Sequence, residues 1–221
     1  MSTFGPVLVV DTSTRASIVA VGHETPRAIS RREVKHRHGS HVLEQIDEVL
    51  AASGLALDDL AGLAVGTGPG SFTGLRVGLA TVKTVAYARA LPLVGVMSSD
   101  ALRDASDLPA AAVVLPAGAR DHYLSRSGHD PVLIAPGELP AAVGDDPVLA
   151  IDMDAGILGE EASARGAAAV EGLAAAMLAR ARARLLAGDA DEVAELIPAY
   201  VALPRGVKHG AEDLGWSPDL R

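Results

Sequence analysis

The chain has 221 residues, enough for one large domain or two small ones, and is 49% hydrophobic but only 3% aromatic, so Ala, Val and Leu must build its core. A net charge of −9 argues against a broad grip on a nucleic acid backbone by this chain alone. The absence of cysteine excludes disulfides and thiolate zinc sites and fits a reducing cytoplasm.

The first element, Val7 to Val10, is a continuous apolar run, the pattern of a strand buried on both faces. It is too short for a membrane segment and has no basic lead-in, which reads as a soluble, cytoplasmic protein. Asp11-Thr12-Ser13-Thr14 are turn formers, and Ala16 to Val21 returns as a second strand. "PRAISRREV" is a third. In "HGSHVLEQIDEVLAASGL", Val42, Leu43, Ile46, Val49 and Leu50 recur at helical spacing. Ser40 is its candidate N-cap and Gly54 its stop. "LAGLAVG" is a fourth strand, a helix runs from about Thr73 to Ala90, and "PLVGVM" is a fifth strand.

The second half opens in the same way. "VVDTSTRASIVAVG" lies over "VLPAGARDHYLSRS" at an offset of 105 residues, which sets Val10 on Leu115, Arg15 on Arg120 and Ile18 on Tyr123. Both read as strand, short turn, strand, which suggests a degenerate internal duplication. "PVLIAP" and "PVLAIDMD" are further strands. Gly166 to Ala187 is an Ala-rich helix, with Arg180, Arg182 and Arg184 near the end where cations suit the macrodipole. The expected division is a first half over 1–102, a smaller second half over 103–203 and a loose tail over 204–221 that carries Trp216.

"GTGPGSFTGLRVGLA", Gly66 to Ala80, stands between the fourth strand and the second helix. Such a junction offers free N–H groups and a helix dipole to an anion. A Walker loop would end in Gly-Lys-Ser/Thr, but here Leu75-Arg76 follow Gly74. A dinucleotide fingerprint would need an acid after the next strand, which ends in Val96-Met97-Ser98. Gly74 and Gly78 lie one turn apart on one helix face, where their missing side chains let another backbone approach. The pattern alone leaves the phosphate cradle and the packing surface both open.

Other chemistry is poorly provided for. His38 and His41 are three apart near the first helix start, but no carboxylate stands in an obvious position beside them, so no metal site is expected. A peptidase would need a nucleophile with a base, or H-E-x-x-H, and neither occurs. Residues 27–41 carry five cations against Glu33, a local charge of +4 in an acidic chain. That strip reads as a solvated face, or as a small contact for a polyanion held mainly by another protein.

"VVDTSTRASIVAV", "HGSHVLEQIDEVLAASGL" and "GTGPGSFTGLRVGLATVKTVAYARALPLVGVMSSDAL" together resemble the TsaB family, also called YeaZ. The likeness is strongest over about the first 100 residues. It departs from the family's usual Asp-Ala-Arg at Gly118-Ala119-Arg120, and from Tyr-Leu-Arg at Tyr200-Val201-Ala202. The resemblance implies an α/β protein of the actin-like ATPase (ASKHA) fold, two RNase H-like halves with mixed sheets flanked by helices. It implies a non-catalytic partner that binds and activates its paralogue, the transferase TsaD, in forming threonylcarbamoyladenosine in tRNA. The ATPase TsaE joins the pair, a homodimer is a further possibility, and tRNA is reached only through the complex. Pairing uses the two helices of the first half.

On that reading His38, His41 and Gln45 of the first helix are candidate partner-binding residues. Ser71, Phe72, Gly74, Leu75, Gly78, Leu79 and Val82 of the second join them, with the glycines leaving a shallow surface for a partner helix. The fold's enzymes clasp nucleotide phosphates between two hairpins with an acid at each turn. Asp11, Thr12 and Ser13 are the residual nucleotide-binding candidates, and the offset sets Pro116 opposite Asp11, a clasp only half built. No cofactor is expected, with nucleotide held weakly or at the partner interface. The alternatives are an ATP-binding kinase or ATPase of the same fold, or a glycoprotease-like peptidase.

Overall fold

A computed structural model describes residues 4–33, 41–199 and 201. The first sheet is built from β1 (Val7–Asp11), β2 (Ala16–Gly22), β3 (Pro26–Glu33), β4 (Gly62–Gly68) and β5 (Leu93–Met97), in the order β3-β2-β1-β4-β5. β1 pairs antiparallel with β2 and parallel with β4, so it is central and wholly buried. The apolar run at its start serves two cores. Leu8 and Val10 face α1 (His41–Ser53) and α2 (Phe72–Arg89), while Val7 and Val9 face the interior of the molecule.

The second sheet repeats the pattern with one strand fewer. β6 (Ala112–Ala117), β7 (Asp121–Ser125), β8 (Val132–Ile134) and β9 (Val148–Ala150) lie in the order β8-β7-β6-β9, again with a central strand antiparallel to its hairpin partner and parallel to the next. Its outer face packs on the short α4 (Leu139–Val143), and α5 (Ala155–Leu158) follows β9. The expected division at 102/103 falls inside α3 (Ser98–Ala105), a helix whose apolar content is too small to stand out in sequence.

Between the sheets runs α6 (Glu160–Leu186), which begins six residues before the expected Gly166. Its Gly166 lies against the Ala150 carbonyl, where a Cβ would come within 2.1 Å. Near its other end Leu185 fills the space above Gly62 of the first sheet. One continuous core therefore joins Val9, Ile18 and Val94 of the first sheet to Leu115, Leu149 and Ile151 of the second through Leu173, Met177 and Leu178. The arginines of α6 do more than suit its dipole. Arg180 binds Asp104 of α3 at 2.5 Å, Arg182 donates to the Phe4 carbonyl, and Arg184 donates to the Gly95 carbonyl. No helix among the described residues is long and apolar enough to cross a membrane.

Candidate functional site

The turn between β1 and β2 is organised by Asp11. Its Oδ1 accepts from the Ser13 N–H at 2.9 Å and from Ser13 Oγ at 2.6 Å, and its Oδ2 accepts from Ser98 Oγ at 2.6 Å. Ser98 Oγ in turn accepts from the Gly68 N–H at 3.1 Å. One carboxylate thus joins the hairpin turn, the glycine stretch and the start of α3. It fits only because residue 66 lacks a side chain, since a Cβ there would lie 1.9 Å from Oδ2. Burial pushes the Asp11 carboxyl above its usual range, against the pull of the hydrogen bonds from Ser13 and Ser98.

Thr12 and Ser13 hold the glycine stretch from the other side. Thr12 Oγ1 donates to the Gly74 carbonyl at 2.8 Å, and the Ser13 carbonyl accepts from the Ser71 N–H at 2.8 Å. Ser71 caps α2, its side chain accepting from the Gly74 N–H, and the Gly68–Pro69 bond is cis. The glycines serve close packing, but the neighbour they admit is internal. A Cβ on Gly74 would lie 2.1 Å from the Thr12 carbonyl, and one on Gly78 would lie 2.3 Å from Thr12 Oγ1.

This corrects the expected docking set. Gly74, Leu75, Gly78, Leu79 and Val82 are all buried within the chain, so the glycine face of α2 is no external surface. Gln45 is buried as well. Its amide nitrogen donates to the Ser17 and Ser30 carbonyls at 3.2 Å, and its Oε1 accepts from Ser17 Oγ at 2.5 Å. His41 and Phe72 remain at the surface, and Ser71 lies partly exposed between them and the turn. Helix α1 starts at His41, so Glu44 does stand beside it, with Nδ1 and Oε2 3.4 Å apart. His38, Ser40, Lys35, Arg37, Tyr200, Ala202 and the segment with Trp216 lie outside the described residues.

The outward surface of the helix pair carries Tyr87, which the sequence pattern did not single out, and Leu43, which the helical spacing sets in the apolar stripe but which faces solvent. Tyr87 is 87% exposed, more than any other large apolar side chain among the described residues, and Leu43 is 56% exposed. Phe72 carries the Arg76 guanidinium over its ring at 5.4 Å. The basic strip is partly neutralised: Arg31 pairs with Glu171, and Arg32 pairs with Glu44 and Glu48.

A cleft of about 390 Å³ opens between the halves, walled by Ser13 to Arg15 and the entry of α2 on one side and by Pro116, Gly118 and Tyr123 on the other. Asp11 pairs with Ile18, and Leu115 pairs with Tyr123, with Leu115 on the inward face that Asp11 occupies in its own sheet. By alternation Leu115 and Ala117 take the inward side of β6 and Pro116 the other, and none of the three is an acid. Where the first half sets a carboxylate over Gly66, the second sets Leu115 beside Ile151 in the shared core. The acid that does reach the cleft from the second half is Asp152, just past β9. Its Oδ2 accepts from the Arg15 N–H at 2.6 Å, a tie across the halves that no local sequence signal announces. Burial raises its carboxyl, with Glu33 and Asp11 adding to the rise and Arg15 opposing it.

Two mixed sheets that repeat one strand order, with helices outside and between them, define an α/β protein of the actin-like ATPase fold. YeaZ from Pseudomonas aeruginosa has the same fold, with a TM-score of 0.63 and 22% identity over 89% of this chain and 99% of that one. The sequence matches the family described as TsaD, tRNA N6-adenosine threonylcarbamoyltransferase, over residues 19–192. The tRNA threonylcarbamoyladenosine biosynthesis protein TsaB of Haemophilus influenzae is 37% identical over 100 residues, 45% of this chain and 42% of that protein. Its Escherichia coli namesake is 34% identical over 90 residues, 41% of this chain and 39% of that protein. The chain thus spans about two-fifths of the length of these curated relatives. An uncharacterized protein of Mycobacterium tuberculosis is 32% identical over 149 residues, 66% of this chain and 70% of that protein. The chain belongs to the TsaB (YeaZ) family.

Proposed function

We propose that this chain is the non-catalytic partner of the threonylcarbamoyltransferase TsaD in making threonylcarbamoyladenosine in tRNA, and that it acts by docking through the outer face of α1 and α2. The observation that carries this reading is the exposure of Tyr87 and Leu43 on that face. Large apolar side chains left in water are the usual anchors of a protein interface. The run Leu115-Pro116-Ala117, which brings no acid to the end of β6, supports a subunit without its own reaction. In this reading TsaE is a third member of the assembly, tRNA is reached through the complex in the cytoplasm, and the same face accounts for any homodimer. Nucleotide belongs to the assembly and not to this chain alone.

The test is Tyr87→Glu. Tyr87 is almost wholly exposed, so the variant keeps its fold. Its affinity for TsaD, measured by calorimetry, should fall by about tenfold or more. An unchanged affinity would move the docking face elsewhere. ATP titrated into the isolated chain should give no binding heat, and tight binding there would favour the kinase or ATPase reading.

A further inference from the structure

After α6 the chain does not leave the molecule. It turns at Gly188 and runs back along the edge of the first sheet, where the Asp191 N–H donates to the Leu93 carbonyl at 2.8 Å. Asp191 Oδ2 accepts from the Gly95 N–H at 2.6 Å, and Arg184 holds the same carboxylate from α6. Leu196 lies over Gly95, where a Cβ would come within 2.6 Å of its Cδ1. The last tie is from the Ala199 N–H to the Thr67 carbonyl at 2.8 Å, inside the glycine stretch that leads into α2.

Lys83 of α2 holds the middle of this segment. Its ammonium donates to the Ala194 and Leu196 carbonyls at 3.1 Å each. Those two carbonyls belong to a stretch without regular secondary structure, so no helix or strand partner serves them and the Lys83 ammonium does. Lys83 lies four residues before Tyr87, on the same side of the helix. One ridge of α2 thus carries both the anchor of the returning segment and the exposed aromatic.

We infer that residues 189–199 form a strap that sets the position of α2, with Lys83 as the positioning residue, and that seating of the strap is coupled to occupation of the outer face of α2. The coupling rests on the docking reading above, while the seating of the strap does not. Coupling between two sites is reciprocal. A partner on α2 must therefore slow exchange of the Ala199 amide by the same factor by which loss of the strap weakens the partner.

The test uses the full chain, with amide hydrogen exchange and TsaD affinity read on Lys83→Met and Lys83→Arg. Methionine keeps the apolar stem and removes the donors, whereas arginine keeps them. Lys83→Met should speed exchange at Asp191 and Ala199 by about tenfold, leave amides of β1 unchanged, and weaken TsaD binding about fivefold. Lys83→Arg should restore both readouts, which a simple loss of packing would not permit. Unchanged exchange in Lys83→Met would remove Lys83 as the anchor and overturn the inference. Faster exchange with unchanged affinity, while Tyr87→Glu still weakens pairing, would overturn the coupling and leave the docking reading standing. If neither Lys83→Met nor Tyr87→Glu alters affinity, the docking face is wrong and the coupling falls with it, although exchange still reports the seating of the strap.

Discussion

Asp11 and Gly66 are two sides of one fit, because the carboxylate occupies the volume that a side chain at residue 66 would need. Gly66→Ala therefore has to displace a buried group that anchors three segments. The expected loss of stability is about 3 kcal/mol, read by urea denaturation, with most of it from the broken hydrogen bonds. Asp152 makes a different prediction. Burial raises its carboxyl above the usual 3.8, so the fold favours its neutral form. The stability this lends is present below the unfolded value and is lost as pH rises through the higher folded value. Asp152→Asn keeps an acceptor for the Arg15 N–H without the charge. The variant should gain stability relative to the parent chain as pH rises from about 4 to 7, and thermal melts across that range would show a constant difference if the carboxylate had no such cost.

At the scale of elements, α1 and α2 each have an inward face that is polar in places. Gln45 ties α1 to β2 and β3 through their main chains. Gln45→Ala strands those partners in the interior, and unfolding titrations should record a loss of about 2 kcal/mol. Sequence pattern located these helices well, because Val42, Ile46 and Val49 recur at the period of a buried stripe. It could place Gly74 and Gly78 on one face but not say what that face meets, since Thr12 approaches from 62 residues away. β1 was legible because an unbroken apolar run leaves little choice but burial on both faces. The early turns of α6 were missed because Glu160, Glu161 and Ala164 are exposed and carry no apolar period. α3 was missed for a related reason, with Ala101 and Leu102 its only buried apolar residues. Asp152 was invisible as a site residue because its partner is a main-chain N–H at a distant turn, and main-chain groups leave no mark in a sequence.

For the molecule as a whole, the shared core overrides the duplication. Residues from both sheets meet the same stretch of α6, so neither half can unfold and leave the other's apolar surface covered. Calorimetry should show one transition, with calorimetric and van't Hoff enthalpies equal. Met177→Ala, at the centre of α6, should lower that single transition by about 3 kcal/mol of stability without splitting it. Two separate transitions would mean that the halves fold independently.

The passage of α6 from one sheet to the other has a mechanical outcome. Swinging the halves about the cleft would require sliding Leu173, Met177 and Leu178 out of contacts that both sheets make, and breaking the tie from Arg15 to Asp152 on the way. Ligand-driven closure, the motion through which a hinged protein does work, would cost this chain those buried contacts. Any surface that draws on both halves is thereby held in one arrangement by the core beneath it.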